Sequence, residues 1–216
     1  MATQNRIINP APPNLPLGTD TYERRYQDQF TNVLRLYFNQ LQNALTELTG
    51  NTGGRYLAFP YGAFSSDQDQ TTTSNTATLM TLNTTDFSNN VGLDIGSKIK
   101  VTTPGIYNLQ FSTQFQNTDN AIQDISIWLK QNGTDIPGST GLVSIPARKS
   151  SSAGEEAHEI IGWNYYVSMN ANDYIQIYWS ATLNSVTIQN YAAGTLPTRP
   201  STQSVVATLS FVSALP

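Results

Sequence analysis

The hydrophobic pattern of this chain changes period once, near residue 50. Over residues 30–48 the apolar side chains Phe30, Leu34, Tyr37, Leu41, Ala44 and Leu48 recur in alternating steps of four and three. That spacing is the a/d seam of a heptad repeat on an α-helix. Tyr22, Tyr26, Val33, Leu36, Phe38 and Leu45 lie off the seam, so the helix is apolar over more than one narrow stripe and has two partners to satisfy. Asp20 with Glu23 three residues on reads as a capping box, and Gly50 as a left-handed stop. The expected helix, 20–50, is about 45 Å long.

From Arg55 the period is two, and β-branched and aromatic residues separated by turn signals continue to the end. The expected strands are 55–63, 76–82, 98–101, 105–117, 121–131, 159–169, 174–183, 185–190 and 203–214. Eight or nine strands with no helix between them make a sandwich or jelly roll. Ile106, Leu109 and Phe111 frame one strand. Ile125, Ile127 and Leu129 share a face with Trp128 opposite, and Ile175, Ile177 and Trp179 share another. Tyr174, Gln176 and Tyr178 alternate with that last set. A tyrosine-glutamine face fits a subunit interface, and it also fits an ordinary solvated sheet face.

The fold class is therefore mainly β: a C-terminal jelly-roll β-sandwich, 55–216, preceded by an extended arm, 1–19, and one long α-helix. Asn51, Thr52, Gly53 and Gly54 form a glycine joint before the β domain. The arm holds Pro10, Pro12, Pro13 and Pro16, whose fixed φ angles favour polyproline-like backbone. Ile7, Ile8, Pro10, Pro12, Pro13 and Leu15 are its candidate anchoring residues, as a docking peptide laid on a partner; a disordered leader is the alternative. Two readings also fit the helix. It packs on its own β domain in a monomer, or it is a self-associating stalk that meets its copies along the heptad seam. The glycine joint and the distance in sequence from the strands favour the stalk.

Composition narrows the function. Only 12% of residues are charged, the net charge is −4 and there is no cysteine, which removes disulfides, thiolate nucleophiles and zinc-ribbon sites. The eleven Lys and Arg are scattered, so no nucleic-acid partner is expected. No apolar run reaches the length of a membrane span, and prolines interrupt residues 1–17 where a signal peptide needs an apolar core. The expectation is a protein made in a host cytoplasm without Sec export. Ser, Thr, Asn and Gln supply 81 of the 216 residues, a polar but nearly uncharged surface of the kind common on β-rich adhesins and virion proteins.

Several segments resemble a known family. The run from Lys98 to Phe111, with Pro104-Gly105 at its turn, is similar to the Pro-Gly-x-Tyr-x-Phe strand opening of the tumour-necrosis-factor and complement-globular-head jelly rolls. Ile125 to Gly133 resembles that family's next strand, closing in an Asn-Gly turn. Met169 to Ile177 resembles its Gly-Asp-x-Val strand, with Asn172-Asp173 where Gly-Asp is usual, and Ser204 to Leu215 its closing strand. Members are trimers with jelly rolls packed around a threefold axis, so the resemblance implies a homotrimer here, with Phe30, Leu34, Tyr37, Leu41, Leu48, Tyr174 and Tyr178 in the trimer interface. Arg6 to Gly18, with Tyr26 to Phe30 and Leu36 to Leu41, looks like the start of structural proteins of tailed phages, especially marine and cyanobacterial ones. That resemblance implies a virion location, attached by the N-terminus to other virion proteins.

Catalytic chemistry has little to work with. The single histidine, His158, sits among Glu155, Glu156 and Glu159 beside a Ser/Gly-rich loop, where sequence neighbours are not held against a nucleophile or an oxyanion hole. Asp67 and Asp69, or Glu155, Glu156 and Glu159, offer the hard oxygens calcium prefers, without its loop spacing; charged loop residues in water are the simpler reading. Neither cofactor nor metal is expected, and the Asn83 and Asn132 sequons carry no weight without export. The reading is a phage virion structural protein, a homotrimeric fibre or head-decoration protein. Its loops 65–75 and 150–156 are the candidates for binding host-surface glycan or protein. The alternative is a capsid or tail cement protein without a receptor, and a carbohydrate-active enzyme is a third.

Overall fold

The computed structural model describes residues 10–18, 20–49, 59–150, 152 and 155–215. The chain divides into two compact units, Met1–Ala58 and Phe59–Pro216. In the first, helix α1 spans Arg24–Thr49. It starts four residues after Asp20: the Gln27 N–H donates to the Glu23 carbonyl at 3.1 Å, which makes Glu23 the N-cap and leaves Asp20 outside the helix. Phe30, Leu34, Tyr37, Leu41 and Ala44 are half-buried, as are Tyr26 and Val33, whereas Leu36, Phe38, Leu45 and Leu48 are exposed. Tyr26 and Phe30 stack with centroids 6.2 Å apart. Along the arm the prolines three residues apart, Pro10, Pro13 and Pro16, are half-buried while Pro12 and Leu15 are exposed, matching the three-residue turn of polyproline II. The Tyr26 hydroxyl reaches the Pro16 carbonyl at 3.4 Å. The expectations placed on Ile7, Ile8 and the 51–54 joint lie outside the described residues.

The second unit is built of β1 (Tyr61–Ser66), β2 (Thr78–Leu79), β3 (Thr84–Asn89), β4 (Val91–Asp94), β5 (Lys98–Val101), β6 (Gly105–Asn117), β7 (Gln123–Gln131) and β8 (Thr134–Asp135). After these come β9 (Gly141–Ile145), β10 (Ala157–Met169), β11 (Tyr174–Ala181), β12 (Val186–Ile188), β13 (Gly194–Thr195), β14 (Thr198–Arg199) and β15 (Val205–Ser213). One sheet runs β10-β6-β15-β1-β3, with β12 also on β6; the second runs β4-β5-β11-β7-β8, with β2 on β11 and β9 on β7. A separate hairpin pairs β13 with β14.

Four antiparallel pairs nest inside one another along the chain: β1 with β15, β5 with β11, β6 with β10, and β7 with β9. A single long hairpin rolled into two layers has this pairing, so the unit is a jelly roll. The layers close over Phe64, Tyr107, Leu109, Phe115, Ile125, Ile127, Ile175, Trp179, Val205 and Leu209, all buried, with Phe115 edge-on to Trp179 at 5.5 Å.

Period two holds on β6, β7 and β10, with one change of face, whereas β1 is buried at five of its six residues. On β6 the inward residues are Tyr107, Leu109, Phe111, Thr113 and Phe115; Ile106 points outward with Asn108 and Gln110. Pro104 immediately precedes β6, and Asn132-Gly133 joins β7 to β8 with φ of 52° and 82°, the two positive values of a type I′ turn.

Candidate functional site

The two sheets present outer faces of opposite character. On the seven-stranded sheet, Trp128 lies opposite Tyr178 in register, their rings 6.0 Å apart. Lysines sit over the tyrosines: Lys98 Nζ is 4.7 Å from the Tyr174 ring centre and Lys130 Nζ 4.8 Å from that of Tyr178. Lys130 also pairs with Asp135 at 3.1 Å and Lys100 with Asp94 at 3.9 Å, and Asp135 accepts the Trp128 indole N–H at 2.8 Å. Between the tyrosines Gln176 is buried, its amide donating to the Gly96 carbonyl at 2.7 Å. Tyr174 and Tyr178 thus occupy a charged face, on which a lysine covers each ring and Lys100 and Lys130 are ion-paired.

The outer face of the six-stranded sheet is built differently. Register and alternation place His158, Ile160, Gly162, Asn164, Tyr166 and Ser168 of β10 beside Gln116, Gln114, Ser112, Gln110, Asn108 and Ile106 of β6. On the far side of β6 stand Val206, Thr208 and Ser210 of β15. Tyr61 and Ala63 of β1 continue the face, Phe87 of β3 standing opposite Ala63, and the Tyr61 and Phe87 rings meet edge-on at 6.1 Å. Ile160, Phe87 and Tyr166 are 64%, 63% and 60% exposed. Among these residues there is no Lys, Arg or Glu; the ionisable groups are His158 at one margin and, at the other, Asp86, which accepts from the Ser65 hydroxyl at 3.1 Å.

This face was not singled out in the sequence, although its signal is there. The run Ile160-Ile161-Gly162-Trp163-Asn164-Tyr165-Tyr166-Val167 is apolar at odd and even positions alike, the mark of a strand with two faces to cover. Inward, Ile161, Trp163 and Tyr165 pack on the core; outward, Ile160 and Tyr166 stand on the surface.

His158 closes one end of this face. Its Nδ1 lies 2.9 Å from the Tyr191 hydroxyl, which also reaches Gln116 Oε1 at 3.3 Å, and the two rings meet edge-on at 5.5 Å. Burial first, then the carboxylates of Asp69 and Glu156, push the Tyr191 phenol above its ordinary value. Asp69 accepts the Asn190 N–H at 2.7 Å. No group of three or more His, Asp or Glu is gathered as a metal would need, among the described residues. Nor does any helix among them have the length and apolar character to cross a membrane.

No protein-family model matches the chain, and no curated protein matches its sequence. Among solved structures, the tumour necrosis factor Eiger from S. frugiperda is similar over 74% of this chain and 96% of its own, at 12% identity and a TM-score of 0.47. The globular domain of the zebrafish complement 1qA protein is similar over 73% of this chain and 99% of its own, at 11% identity and a TM-score of 0.42. The nested strand pairs, independently of these superpositions, establish the jelly-roll fold of residues 59–215.

Proposed function

We propose that the chain is a homotrimeric virion structural protein that projects its jelly roll as a fibre head or head decoration. The observation that carries the trimer is the outer face of the six-stranded sheet, which is free of lysine, arginine and glutamate and studded with Ile160, Tyr166, Val206, Tyr61 and Phe87. Subunit interfaces exclude charge from their centres, because a desolvated ion costs several kcal/mol unless it is well paired, and they favour tyrosine and phenylalanine. The opposite face carries three lysines, Lys98, Lys100 and Lys130, of which the last two are paired with aspartates. We therefore assign self-association to the six-stranded sheet in place of Tyr174 and Tyr178, and retain Phe30, Leu34, Tyr37, Leu41 and Leu48 as the stalk seam.

The virion role rests on the order of arm, helix and β unit, on the weakly charged surface and on the phage-like N-terminal sequence. Ile7, Ile8, Pro10, Pro12, Pro13 and Leu15 anchor the arm to other virion proteins in this reading, and the loops 65–75 and 150–156 meet host-surface glycan or protein. Light scattering of the purified chain at low micromolar concentration tests the trimer: a mass three times 23.7 kDa supports it, and a mass of one chain overturns it. Antibody against the β unit, applied to intact particles and viewed by electron microscopy, tests the location. Unlabelled particles would exclude a projecting domain.

A further inference from the structure

The chain contains one Asn-Gly dipeptide, Asn132-Gly133. Glycine leaves the backbone amide after an asparagine least shielded, so that nitrogen can attack the side-chain carbonyl carbon. In the fold this asparagine is held. Its Nδ2 donates to Asp173 Oδ1 at 2.8 Å, its Oδ1 accepts the Tyr174 N–H at 3.0 Å, and its own N–H donates to the Tyr174 carbonyl at 3.0 Å. Asp173 is itself oriented, its other oxygen accepting from the Asn170 N–H at 2.7 Å and from Gln131 Nε2 at 3.1 Å.

We propose that Asn132 is a latent covalent modification site, a deamidation site kept unreactive by the Asp173 carboxylate and the Tyr174 amide and released when the β8 turn separates from β11. In the reaction the Gly133 nitrogen, its proton lost to solvent base, attacks Asn132 Cγ and closes a five-membered succinimide. The Cγ–Nδ2 bond breaks and Nδ2 departs as ammonia, taking a proton from water. Water then opens the ring at one carbonyl or the other, leaving aspartate or isoaspartate; nothing is oxidised or reduced. To begin, Cγ must swing toward Gly133, which breaks both side-chain hydrogen bonds to the start of β11.

Either product holds the turn open. Aspartate sets a second carboxylate against Asp173, where like charges repel. Isoaspartate lengthens the backbone by one methylene inside a two-residue turn that fixes the β7–β8 register.

The test follows Asn132 by peptide mass spectrometry in the full chain, incubated at neutral pH either native or unfolded in guanidinium. Native deamidation is expected at about one tenth of the unfolded rate or less, the factor that one to two hydrogen bonds supply; equal rates overturn the proposal. In the native state Asp173→Ala is expected to accelerate conversion several-fold. Asp173→Leu, close in shape and without an acceptor for Asn132 Nδ2, serves the same purpose should the alanine variant not fold. A folded variant that deamidates at the parental rate shows that Asp173 is no clamp and overturns its assigned part.

Discussion

At the scale of single residues, Asp173 does most to explain the end of the sandwich where β7, β8 and β11 meet. Burial alone would raise its pKa, but hydrogen bonds from Asn132, Asn170 and Gln131 outweigh it and hold the carboxyl below its ordinary 3.8. A carboxyl with a lowered folded pKa adds stability that is fully present above the unfolded value and is lost as pH falls through the folded one. Asp173→Asn should therefore lower the thermal midpoint at neutral pH, with the gap to the parent closing below about pH 4; a gap that persists in strong acid would refute the charged role. The neighbouring Asn172 stands where the resembled family has glycine, and its φ of 72° gives the reason: asparagine is among the few residues that tolerate the left-handed region. Gly141 is constrained by space instead, since a Cβ there would collide with the Trp163 indole, which stacks on Phe111 at 6.4 Å. Gly141→Ala should cost about 1–3 kcal/mol by overpacking, read by thermal unfolding with a change in tryptophan emission. That collision could not be foreseen from sequence, because it joins strands 22 residues apart on the two sheets.

Elements were legible in proportion to how much of each is buried. Strands β6, β7, β10, β11 and β15 carry the core, and their alternation marked them out. Strand β3, Thr84–Asn89, is almost wholly exposed and drew no such signal, because an edge strand is held by its ladder to β1 and only weakly by burial. The short β4 and β9 went unread because each includes a glycine, a residue that strands disfavour. In α1 the half-buried stripe through Phe30, Leu34, Tyr37, Leu41 and Ala44 was legible, but the start was not, since the Asp20–Glu23 spacing imitates a cap that the backbone places at Glu23. Replacing Leu34 and Leu41 with Asp tests the stalk. Both lie on the half-buried stripe, and charge at two a positions of one seam is incompatible with a heptad core. The mass in solution should fall, and an unchanged mass would mean that assembly does not use the helix.

For the whole molecule, each quoted motif was weak alone, and their order along the chain pointed to a roll. The nested pairing of β1 with β15 down to β7 with β9 makes that order physical. The proposed assembly surface differs from the tyrosine face expected from sequence, because tyrosines can be read from a strand, whereas the lysines that cap them arrive from β5 and the far end of β7. A paired experiment separates the two faces. Ile160→Lys and Val206→Lys each place an ammonium on the uncharged sheet, where self-association would desolvate it at a cost of several kcal/mol. Either should shift the light-scattering mass toward one chain at low micromolar concentration, with far-UV dichroism unchanged, since both side chains already point to solvent. Tyr178→Lys on the other sheet should leave the mass unaltered, because that surface stays wet in the proposed trimer. If instead Tyr178→Lys dissociates the assembly while the lysines at 160 and 206 are tolerated, the threefold axis runs past the capped tyrosines, and the uncharged sheet is left facing outward with a different partner to find.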